Sequence, residues 1–76
     1  MRPKSEKIEL TNSTRLKSME YNYELCVLTL EFIKGGLYTY TLFMGDAWVE
    51  LKRADSKGKF FEENIRNNKS YIVKKI

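Results

Sequence analysis

Histidine is absent from this 76-residue chain, and cysteine and proline occur once each, as Cys26 and Pro3. One thiol without histidine excludes an internal disulfide and removes the usual ligand set of structural zinc. The commonest general base and the commonest activated nucleophile are missing with them. No glycine-rich loop has dinucleotide or P-loop spacing after a strand. No apolar run approaches the roughly 20 residues needed to cross a bilayer. Met1-Arg2-Pro3-Lys4 leads into polar residues rather than a signal core, so no membrane association is expected and the expected location is cytoplasmic.

The chain's length allows one hydrophobic core and no separate cofactor and substrate domains. A domain of this size buries roughly 60% of its unfolded surface and often needs a staple. Disulfide and metal being excluded, packing or self-association must serve, so a homo-oligomer is one expectation. Cys26, flanked by Leu25 and Val27, reads as a small buried hydrophobe in a reducing compartment.

Fourteen Lys and Arg oppose ten Asp and Glu, a net charge of +4. The excess is unevenly spread. Residues 18 to 31 carry only Glu20, Glu24 and Glu31, whereas 52 to 59 carry Lys52, Arg53, Lys57 and Lys59 against Asp55. Arg66, Lys69, Lys74 and Lys75 follow unopposed. Folded to one side, these stretches would form a basic surface for nucleic acid; a solvated charged face is the plainer alternative.

Residues 1 to 7 read as a frayed polar leader, and Ile8-Glu9-Leu10 as a short edge strand before a turn at Asn12-Ser13. Leu16 to Tyr23 fits a strand with a bulge near Lys17-Ser18. The strongest local signal is a hairpin, with apolar residues from Leu25 to Ile33, a turn at Lys34-Gly35-Gly36 and β-prone residues from Leu37 to Phe43. A three-residue loop with a glycine at positive φ pairs Phe32 with Tyr38, Leu30 with Tyr40 and Leu28 with Leu42, making one face apolar. Val27, Thr29, Glu31, Thr39 and Thr41 then form the wet face.

After Gly45 the period changes. Asp46 is the expected cap of a helix whose face carries Ala47, Trp48, Leu51 and Ala54. Asp55-Ser56 caps a second helix carrying Phe60, Phe61 and Ile65. The fold class is therefore α+β: a small antiparallel sheet of three to four strands, its central hairpin at about 25–43, packed against helices at about 46–54 and 57–67. Tyr71-Ile72-Val73 is β-prone, and its fate is open between an edge strand, a partner contact and a mobile tail.

Carboxylates are scattered, and Glu62-Glu63 point about 100° apart on a helix, so no enzyme is expected and no cofactor. Ser56, Lys57, Gly58 and Lys59 combine a helix start, a hydroxyl and two cations, a pattern suited to phosphate, with Arg53 and Arg66 as further phosphate contacts. A plain serine cap is the alternative. Tyr38 and Tyr40 are candidate stacking residues for unpaired bases, although the register favours core packing with their hydroxyls at the rim.

The order Ser13-Thr14, Leu16, Met19, Tyr21-Asn22, Leu28-x-Leu30-x-Phe32 and Gly35-Gly36-Leu37-Tyr38-x-Tyr40 resembles the KTSC domain. So do Ala54-Asp55-Ser56-Lys57-Gly58-Lys59-Phe60-Phe61, Asn64-Ile65-Arg66 and Tyr71. Phe43-Met44 stands where that family usually has Val-Pro, and Asp55 where proline is common, both at helix entries. The resemblance divides the chain into residues 1–12, an arm or edge strand; 13–71, the KTSC-like domain; and 72–76, a basic tail. The family is named for its place at the C-terminus of some lysyl-tRNA synthetases, and single-domain copies occur in bacteria and their phages. It thus implies RNA as a partner, and the host cytoplasm as the location if the chain is phage-encoded.

Three functions stand as expectations. The first is a non-enzymatic module binding RNA or another nucleic acid through the second-helix start. The second is an accessory protein, such as a phage-encoded modulator of a host protein, pairing through Ile8-Leu10 or Tyr71-Val73. The third is an oligomer that binds a nucleotide or phosphorylated ligand.

Overall fold

The structure, a computed structural model, describes residues 4–11 and 13–76. Met1, Arg2 and Pro3 of the expected leader and Asn12 of the expected turn lie outside the described residues. Five strands, β1 (Ser5–Glu9), β2 (Leu16–Asn22), β3 (Val27–Phe32), β4 (Gly36–Thr41) and β5 (Ile72–Lys75), form one sheet in chain order. Every pairing is antiparallel. Between β4 and β5 the chain forms α1 (Gly45–Arg53) and α2 (Lys57–Phe60), the latter continuing as a π-helical turn over Phe61–Ile65.

The α+β class and the two-helix arrangement are as expected; the count of three to four strands is not. The fifth strand arises because both chain ends pair. Ser5 to Lys7, expected to fray, sit opposite Asn22, Tyr21 and Glu20. Ile72 to Lys75 sit opposite Thr41 to Tyr38. Neither end shows strong apolar alternation, because on an edge strand only the residues beneath a helix need be buried.

Pleating places Glu6, Ile8, Met19, Tyr21, Leu28, Leu30, Tyr38, Tyr40 and Val73 on one face, and the helices cover it. Trp48 and Leu51 of α1 and Ile65 of the π turn are fully buried against this face, with Phe61 nearly so. The expected bulge is present, the β2–β3 register shifting between Leu16 and Ser18.

The central hairpin is shifted by two residues from the expected register. Phe32 pairs with Gly36, Leu30 with Tyr38 and Leu28 with Tyr40. Gly36, at φ 82°, opens β4 instead of closing the loop, which consists of Ile33, Lys34 and Gly35. A two-residue slip preserves side-chain parity, so the apolar and wet faces stay as expected while the partners change. Leu42 therefore does not reach Leu28. It is half-exposed at φ 69°, and the next residue's N–H, from Phe43, bonds the Cys26 carbonyl at 3.0 Å. That bulge turns Phe43 fully into the core. Cys26, at φ 55°, is half-buried rather than buried.

Asp46 is not the cap of α1. Met44 occupies that position without a side-chain bond, and Asp46 lies in the first turn, accepting the Ala47 N–H. There its charge still favours the positive end of the helix. Ser56 does cap α2, its Oγ accepting the Lys59 N–H at 3.2 Å.

The far edge is locked by Glu6. Its Oε1 accepts from the Tyr23 hydroxyl at 2.6 Å, the Trp48 indole N–H at 3.1 Å and the Lys52 ammonium at 3.1 Å. The hydrogen bonds from Tyr23, then Trp48 and Lys52, hold its carboxyl down at about 2, against an ordinary 4.5. The folded state therefore favours the carboxylate, and its stabilising effect is complete above pH 4.5 and disappears as pH falls toward 2. With a third of the side chain exposed, solvent screens part of it. Glu6→Gln should lower stability at pH 7 by about 1–2 kcal/mol and flatten the acid limb between those values in urea unfolding followed across pH. Leu42→Asn should raise stability by about 0.5–1 kcal/mol in the same assay, because asparagine tolerates positive φ and little burial is lost.

Candidate functional site

Two cavities flank Arg15, and both include Thr14 and Arg15 in their walls. The first, a cleft of about 710 Å³, lies between the β1–β2 loop and the start of α2. Ser13 shapes the loop, its Oγ accepting the N–H groups of Arg15 at 3.3 Å and Leu16 at 3.0 Å. Such a hydroxyl turn holds the chain tightly and sends Arg15 toward the helix.

Ser56, Lys57, Gly58 and Lys59 all line this cleft, as the sequence pattern suggested, but their surroundings are mixed. Arg15, Lys57 and Lys59 face Glu9, Asp55 and Glu62, equal numbers of either sign. Lys57 also has a structural task. Its ammonium donates to the carbonyls of Lys52 at 2.7 Å and Ala54 at 2.5 Å, closing the C-terminal end of α1. A cation there satisfies carbonyls left open by the helix end. Gly58 is not forced by crowding, since a Cβ would meet only the Arg15 side chain at 3.6 Å.

The second cavity, a groove of about 640 Å³, lies along β4 and the π turn. Its walls include Phe32, Tyr38, Tyr40 and Phe61, with Arg15, Lys34 and Arg66 as the charged residues and no carboxylate. The rings meet edge to face: Phe32 with Tyr38 at 5.5 Å, Phe32 with Phe61 at 5.1 Å and Tyr40 with Phe61 at 6.2 Å. Tyr40 is buried, and burial, followed by the neighbouring Tyr38, pushes its phenol up to about 12, so it stays a neutral hydroxyl. Tyr38 is half-buried, and the Lys75 ammonium lies 5.8 Å from its ring centre. Lys75 is the cross-strand partner of Tyr38, so the contact is a cation–π pair within the sheet.

The sequence-derived residues are thus divided. Arg66 joins Tyr38 and Tyr40 in the groove, Ser56 to Lys59 line the cleft, and Arg53 is exposed at the end of α1, lining neither. Three cations of the second half already have partners within the chain. Lys52 is engaged by Glu6, Lys57 by carbonyls and Arg66 by Glu62 at 2.9 Å.

Arg15, Lys34, Phe32 and Phe61 were missed as site residues. The i,i+4 spacing of Glu62 and Arg66 was a readable signal, but Arg15 pairs with Glu62 across 47 positions, and only the fold makes that pair.

Among the described residues no helix is long and apolar enough to cross a membrane, and no cluster of three His, Cys, Asp or Glu could hold a metal ion. A family model described as the KTSC domain matches residues 12–71. The chain is similar to the crystal structure of a KTSC domain protein from Yersinia pestis, with a TM-score of 0.86 and 26% identity over 95% of this chain and 97% of that one. No curated protein matches the chain.

Gly58→Ala should raise stability by about 0.5–1 kcal/mol in chemical denaturation, because the helix gains propensity and the added methyl meets Arg15 at ordinary contact distance.

Proposed function

The chain belongs to the KTSC domain family, and from that premise we propose that it is a non-enzymatic module that binds single-stranded nucleic acid, RNA foremost, in the aromatic groove beside β4. The observation that carries the reading is the groove's lining: four aromatic side chains and three cations, without an acid. Unpaired bases stack on aromatic faces, while cations at the rim meet the phosphates that flank each base. Tyr38 supplies the stacking ring, its contact with the exposed Lys75 giving way to a base. Phe32 and Phe61 support it, and Arg15, Lys34 and Arg66 supply the charge. Single-stranded RNA suits this geometry because its bases are already splayed from their partners.

The balanced charge of the neighbouring cleft and the engagement of Lys57 with α1 favour the groove over the second-helix start. A protein partner is the second reading. What favours it is β5, exposed at all four positions, which leaves a sheet edge available to another strand.

Fluorescence polarisation with a labelled oligouridylate of about eight nucleotides tests the first reading. Affinity should fall about sevenfold from about 50 to about 200 mM salt, the slope for two phosphate contacts. Tyr38→Ala should weaken binding about tenfold, and Lys34→Glu should weaken it more than Lys59→Glu. Absence of binding at low salt, or equal losses for the two lysine variants, overturns the groove and turns attention to the β5 edge.

A further inference from the structure

Both arginines that line the groove are turned back onto one carboxylate. Arg15 Nη1, from the β1–β2 loop, donates to Glu62 Oε1. Arg66 Nη1, one turn along from Glu62, donates to Oε2 at 2.9 Å and to Oε1 at 3.1 Å. Glu62 itself lines the neighbouring cleft and not the groove. It thus reaches the two guanidinium groups from the side opposite the aromatic floor.

We infer that Arg15 and Arg66 together form the groove's seat for one phosphodiester, and that in the free protein Glu62, from the cleft side, holds both guanidinium groups until a phosphodiester takes them. This rests on the nucleic-acid reading and specifies the atoms that receive the backbone. A carboxylate and a phosphodiester offer a guanidinium fork the same paired oxygens and the same single charge. The pairs are weak enough to yield. The Arg15 and Arg66 side chains are 46% and 60% exposed, and ion pairs at such exposure are readily exchanged for another anion. Lys34 carries no competing carboxylate in the groove and remains as the second phosphate contact.

The seat has a distinctive signature, since removing the internal anion should improve binding. Glu62→Gln should tighten the labelled oligouridylate about 3–10-fold at low salt, the scale of releasing two exposed pairs. Adding Arg66→Gln should cancel that gain and take affinity below wild type. In the unaltered protein, the ¹³C carboxyl resonance of Glu62 should move on titration with the same RNA as its arginines are taken.

If wild type binds but Glu62→Gln binds equally or more weakly and the Glu62 resonance stays in place, the seat is wrong and the groove reading survives. If neither protein binds at low salt, both fall. Should Glu62→Gln fail to fold, the resonance in the wild-type protein decides alone.

Discussion

Trp48 of α1 lies nearly parallel to the Tyr21 ring of β2, their centroids 5.3 Å apart, and its indole N–H reaches Glu6 in β1 and Tyr23. One helix residue thereby touches two strands through stacking and through a charged hydrogen bond. Tyr21 in turn donates its hydroxyl to the Phe43 carbonyl at 2.6 Å, and burial, followed by the bond with Cys26, pushes its phenol up to about 12. The exit of β4, the entry to α1 and the first strand are bound together at this point. Loss of a buried tryptophan typically costs about 3–5 kcal/mol, a large share of the stability of a domain this small.

With α1 held at the β1–β2 side, the second helix is left to cover β3 and β4. It does so through Phe61 and Ile65, and the π turn, closed by the Arg66 N–H on the Phe61 carbonyl at 2.9 Å, brings both residues to the sheet. A π turn widens a helix locally, and such turns recur at functional sites. Coverage runs out toward β5. Tyr38 and Val73 stay partly exposed there, and the groove is the uncovered remainder of the sheet's inner face. The aromatic residues in it do two things at once: their inner edges pack the core and their outer surfaces line the groove.

Much of this was readable. The hairpin, its apolar face and the two helices follow from alternation in Leu28, Leu30, Phe32, Tyr38 and Tyr40, and from the three-to-four spacing of Trp48 and Leu51. The register was not, because the expected pairing and the observed one keep the same residues inward. Glu6 was unreadable for a different reason. A carboxylate in a polar leader carries no local sign that a phenol from the β2–β3 turn and an indole and an ammonium from α1 will converge on it. The candidate site was half legible: Tyr38 and Tyr40 were named together, but Arg66 was assigned to the second-helix start and not to them.

Strand and helix character, the core-facing residues, the serine cap at Ser56 and the family are properties of short stretches, and the sequence by itself determined them through periodicity, turn chemistry and motif order. Which cations are available to a ligand was decided by tertiary structure alone. Lys52 and Lys57 look equivalent along the chain, yet one is held by a carboxylate of β1 and the other by the carbonyls of a helix end, while Arg15 is turned onto Glu62 from 47 positions away. Charge acts through distance in space, and the distances that matter here join residues dozens of positions apart or sit at junctions between elements, where local sequence has nothing to say.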